Sequence, residues 1–356
     1  MEAIKTELKK WAIELGFQEC GVASIEVGQH AQHLHNWLAQ HFHADMTYME
    51  RHADLRCAPE KLVPGTIRII MVRMNYWPEP FHSKDCQEQA WQQLKNPDKA
   101  YIARYALGRD YHKLMRKRLT QLAKKLEEKI GPFGYRAFAD SAPVLEKALA
   151  EQAGLGWTGK HTLLIDRQQG SYFFLGALFT DLPLPLDEAA SAHCGSCSAC
   201  ITICPTQAIV APYQLDARKC IAYLTIENKG PIPEEFRIAI GNRVFGCDDC
   251  QLICPWNKFA QLTSEIDFTP RHQLNSASLL ELFQWSETEY LKNTEGSPLR
   301  RVGYTGWLRN LIIGLGNAPS HPDIIAALEQ RRAQFVDQQP AWLVEHFEWA
   351  LAQQTA

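Results

Sequence analysis

Eight of the chain's eleven cysteines fall between Cys194 and Cys254, and their spacing is the strongest chemical signal in its 356 residues. The window opens Cys194-Gly-Ser-Cys197-Ser-Ala-Cys200-Ile-Thr-Ile-Cys204-Pro205 and closes Cys247-Asp-Asp-Cys250-Gln-Leu-Ile-Cys254-Pro255, with Cys220 alone between the two runs. The first run reads C-x2-C-x2-C-x3-C-P. The second keeps the ending but lacks its first cysteine, a vacancy that Cys220 fills from upstream. Three thiolates on one tight loop reach three irons of a cubane cluster, and the fourth, just ahead of a proline, points at the other cluster. The expected ligand sets are therefore Cys194, Cys197, Cys200 and Cys254 for one cluster, and Cys204, Cys220, Cys247 and Cys250 for the other. Structural zinc also accepts sets of four thiolates, and cysteines can form a disulfide framework. The two x3-C-P endings favour a pair of 4Fe–4S clusters. Crossed ligation brings the clusters close enough for electrons to hop between them.

Clusters of this kind deliver single electrons, so the remaining chain must hold an acceptor. The 180 residues upstream are too many to be support alone, and a second cofactor or a substrate is expected there rather than a dinucleotide. The glycine-rich run Gly154-Leu-Gly156-Trp157-Thr-Gly159-Lys160-His161 is not read as a phosphate-cradling loop, because His161 stands where serine or threonine must follow the lysine. Close backbone approach to a large flat ligand is another use for such glycines. Asp110-Tyr-His112 begins the D-x-H-x-x-G pattern by which histidine ligates a corrinoid, but Met115 takes the place of the glycine. His112 is therefore read as a polar residue at a helix start.

The formal net charge of −3 gives no global signal for nucleic acid, so any such binding must use a local basic patch. The N-terminus lacks an apolar signal core, and no run reaches the length of a membrane span. Cys20, Cys57 and Cys86 are scattered and read as ordinary reduced thiols. A cytoplasmic, reducing location is expected.

Three regions are expected: 1–185 as the catalytic domain, 186–262 around the clusters, and 263–356 as a helical tail. In the first, residues 1–16 read as an amphipathic helix with Ile4, Leu8, Trp11 and Leu15 on one side. Gly21 to Ser24 and Ile67 to Met74 read as strands, and Leu34 to Phe42 as a helix. Pro78 to Asp98 reads as a loop. Lys113 to Lys129 is a long basic helix with Leu114, Leu119, Leu122 and Leu126 inward, followed by the strand Tyr135 to Ala139. Ser141 is the expected cap of a helix running through Ala153. Thr162 to Asp166 and Tyr172 to Thr180 read as a hairpin. In the tail, Leu279 to Phe283, Trp307 to Gly314, Ile324 to Arg332 and Trp342 to Ala352 have helical patterns. They pair across turns at Gly316-Asn-Ala-Pro and Asp337-Gln-Gln-Pro340, as in an α-solenoid fragment.

The cluster window resembles that of bacterial two-cluster ferredoxins. Together with Asp140-Ser-Ala-Pro-Val-Leu-Glu146-Lys, Ala153-Gly-Leu-Gly-Trp-Thr-Gly-Lys-His161, Arg104-Tyr-Ala-Leu-Gly-Arg-Asp-Tyr-His112, Ser297-Pro-Leu-Arg-Arg and Trp307-Leu-Arg-Asn310, it closely resembles epoxyqueuosine reductases over nearly the whole chain. The resemblance implies a cobalamin-dependent enzyme, related in architecture to reductive dehalogenases. Such an enzyme removes the epoxide oxygen of epoxyqueuosine at the wobble position of tRNA, giving queuosine. The implied fold is α+β multidomain: a flavin-reductase-like α/β cobalamin domain, a ferredoxin-like domain with both clusters, and HEAT-like helices. The family's catalytic acid matches Asp140, whose pKa would be raised by desolvation beside an apolar cofactor, and Glu146 is the second candidate. The family holds cobalamin without a histidine below the cobalt, in keeping with the broken D-x-H-x-x-G pattern. Candidate cobalamin contacts are Arg56, Arg104, Tyr105, Asp140, Gly159, Lys160 and His161.

An anticodon stem-loop would offer its modified base to such a site. Lys113, Arg116, Lys117, Arg118, Lys124 and Lys125 form one basic face for it, and Arg300, Arg301 and Arg309 another. A monomer fed by an external electron donor is expected. A dehalogenase-like reductase of small molecules and a plain electron carrier are the competing readings. A secretion signal would favour the former, and the sequence shows none.

Overall fold

The computed structural model describes residues 1–77, 83–335 and 340–356, with only the backbone of 83–86. The first core is built on a four-stranded sheet in the order Glu19–Ala23, Arg68–Asn75, Phe173–Thr180 and Tyr135–Phe138, antiparallel at every neighbour. The two central strands are apolar almost throughout because both faces are covered. Side chains alternate between those faces. Ile70, Val72, Met74, Phe174 and Leu178 turn to one core, and Ile69, Met71, Phe173, Ala177 and Phe179 to the other.

Helices Glu2–Glu14 and Tyr111–Ile130 close the first face. Met115, Leu119, Leu122 and Leu126, spaced by three and four residues, form the buried stripe of the longer one. Gly176 lets that helix come close, since a Cβ there would lie 3.0 Å from both Met115 Cε and Leu119 Cδ1. Helix Glu146–Gln152 packs on the opposite face through Leu149 and Ala150.

Three local expectations are corrected. The stretch read as a loop before Asp98 contains the helix Ser83–Lys95, with the segment 78–82 outside the described residues. The helix expected from Ser141 starts only at Glu146, because Asp140 takes a left-handed φ of 57° and Ser141 to Leu145 run irregularly. The expected hairpin does not form: Leu164–Ile165 pairs with Trp157–Thr158, while Phe173–Thr180 sits inside the main sheet.

The cluster segment is mostly turns and short helices. Its second half shares one apolar core with Ala100–Leu107 and with the C-terminal helices Leu279–Phe283, Gly303–Asn317, Pro322–Ala333 and Trp342–Thr355. A further helix, Glu287–Asn293, starts at a reciprocal Ser286/Glu289 cap. The second expected tail turn lies mainly at 337–339, outside the described residues. No helix among the described residues is long and apolar enough to cross a membrane.

Arg309, expected on a basic surface, is fully buried. Its guanidinium donates to the carbonyls of Leu224, Asn228 and Gly230, tying the tail to the segment that follows Cys220. It thus has no role on the surface. Arg309→Leu leaves those carbonyls unsatisfied and should cost about 3 kcal/mol of stability, read as a lower denaturant midpoint at unchanged slope.

Candidate active site and cluster cradles

Strand Tyr135–Phe138 delivers Asp140 to the recess between Tyr111, His112 and Glu146, and the positive φ turns the chain there. Across it, Asp110 caps the helix Tyr111–Ile130 by accepting from the His112 backbone N–H at 2.9 Å. The same carboxylate oxygen lies 2.6 Å from His112 Nδ1. The imidazole's other nitrogen is 3.3 Å from Asp140 Oδ2, which also accepts from the Tyr111 hydroxyl at 2.8 Å. The Tyr111 ring is sandwiched by Phe174, with centroids 3.7 Å apart, and by His112, at 4.3 Å. The rigid sheet thereby fixes the tyrosine, and the tyrosine fixes the carboxylate. Glu146 Oε1 accepts the Asp140 backbone N–H at 2.6 Å.

The two carboxyl groups differ in charge. Partial burial works to raise Asp140, but hydrogen bonds from His112 and Tyr111 and the charges of His112 and Arg301 outweigh it, holding Asp140 below its ordinary pKa. Glu146 is pushed well up, first by burial and then by the Asp140 charge. Burial opposes charge on His112, yet its bonds to Asp110 and Asp140 raise it to about 9. In the protein alone desolvation thus acts chiefly on Glu146, and the charges and hydrogen bonds around Asp140 favour its carboxylate beside a charged His112. His112 faces this recess as well as the helix start.

The sequence-predicted contacts divide into two groups. Arg56, Tyr105 and Arg301 surround Asp140 closely enough to feel its charge. Arg56 is buried, and its Nε has no partner among the described residues. Arg104 is buried, bonded to Gln93 and stacked over Tyr101, and its Nε likewise has no partner among the described residues. These orphaned donors fit a ligand rich in amide carbonyls. Tyr105 packs against Phe174 on the sheet side and Phe245 on the cluster side, so it bridges the recess and the second cysteine set.

Gly159, Lys160 and His161 lie elsewhere. Lys160 Nζ donates to the carbonyls of Gly195 and Cys197, at 2.7 and 2.8 Å. Lys160 and His161 line a cavity of about 460 Å³ with Cys194, Cys197, Cys200 and Cys254. The glycine-rich run walls the first cluster's cradle, and the turn that follows it accepts a hydrogen bond from Lys147, the neighbour of Glu146. That run does have G-x-G-x-x-G spacing, but it leads from helix Glu146–Gln152 into strand Trp157–Thr158. This is the reverse of the strand-to-helix turn that cradles a pyrophosphate.

Cys254 belongs with the first run, as crossed ligation requires, since its thiol feels Cys194, Cys200 and Cys197. Cys250 in turn feels Cys220 and Cys204, and Cys247 feels Cys250. The loop at Cys197 is exposed, whereas the second set sits at the edge of the core shared with the tail. Cys20 is buried and its thiol is pushed up to about 12, as for an inert structural cysteine.

A chain with two such thiol cradles and a carboxylate–imidazole cluster of Asp110, His112 and Asp140 is an iron–sulfur oxidoreductase. Its relatives narrow this. The family model "Epoxyqueuosine reductase QueG, DUF1730" matches residues 56–141, and that of a 4Fe-4S double cluster binding domain matches residues 193–257. The epoxyqueuosine reductase of Pseudomonas aeruginosa is 59% identical over 346 residues, covering 97% of this chain and 92% of that protein. The chain belongs to the epoxyqueuosine reductase family. The enzyme of Bacillus subtilis, whose structure is described with its catalytic aspartate loop swung out of the active site, matches with a TM-score of 0.84 at 25% identity, over 99% of this chain and 91% of that one. An epoxyqueuosine reductase crystallised with an epoxyqueuosine-modified tRNA-Tyr stem loop has the same fold, with a TM-score of 0.81 at 24% identity over the whole of both chains.

Proposed function

We infer that this chain reduces epoxyqueuosine to queuosine at the wobble position of tRNA, with electrons passing through two 4Fe–4S clusters to a bound cobalamin. The observation that carries this is the recess itself: an ionised Asp140 bonded to His112 and Tyr111, with unpartnered arginine donors nearby and Tyr105 leading to buried cluster thiols. Residues 193–257 hold the clusters. The ligand sets we assign are Cys194, Cys197, Cys200 and Cys254, and Cys204, Cys220, Cys247 and Cys250. Arg56, Arg104 and Tyr105 would hold the cobalamin, which when bound supplies low-potential electrons at the carbon beside the epoxide oxygen.

The chain's own residues manage the proton. Removing the oxygen breaks both C–O bonds, leaves a C=C bond and takes two electrons and two protons, so the oxygen departs as water; the first break leaves an alkoxide that needs one proton, and the second break needs another. Asp140, which begins ionised, takes a proton from the charged His112 at 3.3 Å and passes it to that oxygen, and His112, backed by Asp110, is protonated again from solvent. Tyr111 keeps the carboxylate from rotating away. The protonated Glu146 holds the backbone of the Asp140 turn. Because the pKa of His112 is raised, its proton is present below about 9 and is lost as pH rises through that value. The single-turnover rate should therefore be level near neutrality and fall on the alkaline side. His112→Gln should be slow throughout, without that alkaline limb.

The anticodon stem-loop reaches this recess across a basic rim. Lys113, Lys117 and Lys124 are exposed and make no ion pair among the described residues, and Arg301 stands beside Asp140, paired with Glu227. Arg118 and Lys125 are tied instead to Glu265 and Glu14. Arg300 bonds Thr294 and the carbonyl of Leu291.

We further propose a cytoplasmic monomer fed by an external donor, with a flavin-reductase-like region at 1–185, a ferredoxin-like one at 186–262 and HEAT-like helices at 263–356. The test of substrate class is competition. Reconstituted protein with cobalamin and a reductant should act on epoxyqueuosine-containing tRNA and leave a brominated phenol untouched. The reverse preference would overturn the reading in favour of a small-molecule reductase.

A further inference from the structure

We propose that His161 donates an N–H···S hydrogen bond to the cluster held by Cys194, Cys197, Cys200 and Cys254, and so raises the potential at which that cluster takes up an electron. The inference rests on the cluster assignment above. It starts from a short turn, in which Gly159 N–H donates to Leu163 O, Thr162 N–H donates to Gly159 O, and Thr162 adopts a φ of 68°. Inside the turn, His161 Nδ1 accepts the Leu163 backbone N–H at 3.1 Å. An accepting Nδ1 leaves the ring hydrogen of the neutral imidazole on Nε2.

That Nε2 is buried and has no hydrogen-bond partner among the described residues. The residue is only 3% exposed, and it lines the same cavity as Cys194, Cys197, Cys200 and Cys254. A buried donor of this kind is normally satisfied, and the group on offer here is a sulfur of the cluster or of a ligating cysteine.

Two neighbours exist in the form this requires. A Cβ on Gly159 would lie 2.5 Å from Ile165 Cδ1 and 3.0 Å from His161 Cε1, so only glycine leaves room for the ring. Lys160, next in the chain, fastens the turn to the loop of Cys194 and Cys197 through two carbonyls, so donor and thiolates keep one spacing. Hydrogen bonds to cluster sulfurs stabilise the reduced, more negative state and raise its potential. His161 thus tunes the outer of the two clusters, the one whose loop is exposed to a donor.

The test is a potentiometric titration of the reconstituted full chain, followed by visible absorbance and electron paramagnetic resonance, with iron and sulfide assayed alongside. His161→Phe fills the space without a donor. It should move one of the two waves to lower potential, so that the reduced-to-oxidised ratio at fixed potential falls about tenfold, equivalent to ~59 mV for one electron. The other wave should stay in place. His161→Gln, which can present an amide N–H, should recover most of the shift. Loss of that cluster in the phenylalanine variant with its retention in the glutamine variant supports the same N–H. Unmoved waves in His161→Phe, or equal shifts in both variants, overturn it. A wild-type chain that takes up fewer than two clusters would remove the cluster assignment itself, a result distinct from unmoved waves in a fully loaded protein.

Discussion

Asp140→Asn should retain iron, sulfide and cobalamin and lose turnover by about 100-fold or more, the usual worth of a positioned acid–base group. Asparagine keeps the shape of the side chain and can still accept from the Tyr111 hydroxyl, so the recess should stay folded around it. It cannot carry a proton from His112 to the substrate oxygen, and it removes one of the two negative charges that hold His112 protonated. The alkaline limb of the rate profile should therefore move to lower pH along with the loss of rate. Glu146→Gln is the informative partner. Its amide oxygen can still accept the Asp140 backbone N–H, so it should keep most of its activity. Normal turnover in Asp140→Asn with none in Glu146→Gln would make Glu146, the carboxyl that burial keeps protonated, the proton donor.

Cys220→Ser should remove one cluster and spare the other, leaving about half of the iron and no turnover. Cys220 follows the short turn Ala217–Lys219, and its thiol lies close enough to those of Cys204 and Cys250 for their charges to interact. The cradle of Cys194, Cys197, Cys200 and Cys254 is a separate cavity and should keep its iron–sulfur absorbance. Full iron content in the variant would overturn the ligand sets. Electrons entering the surviving cluster would have no buried neighbour to reach, which is why a partial loss of iron becomes a complete loss of activity.

The sequence made some features legible because they are local. The cysteine runs encode their own geometry, and Leu119, Leu122 and Leu126 are buried as helix periodicity requires, with Met115 rather than the expected Leu114 completing the stripe. What failed was whatever depends on distant partners. The Asp140 turn looked like a helix start, since Ser141 and Pro143 both favour one. Yet the positive φ at Asp140, with the Asp140 N–H held by Glu146, delays the helix to that residue. Arg309 looked like part of a basic surface, because nothing in its neighbours along the chain announces the three carbonyls that bury it. His112 was visible in Asp110-Tyr-His112 but was read as a helix start, which it also is. Its second partner, Asp140, is 28 residues away in sequence and is brought there by the sheet. The place of Lys160 and His161 beside four cysteines was not legible for the same reason: a glycine-rich run reveals close approach without saying what approaches.

The most direct measurement of the central claim is nucleoside mass analysis after a single turnover. The reconstituted full chain would be mixed with epoxyqueuosine-containing tRNA and a strong reductant, with and without cobalamin. With cobalamin, epoxyqueuosine should disappear and queuosine, lighter by one oxygen atom, should appear in equal amount. Without it, the modified nucleoside should come back unchanged. Conversion that is indifferent to cobalamin, or no conversion in protein loaded with both clusters and cobalamin, would contradict the account.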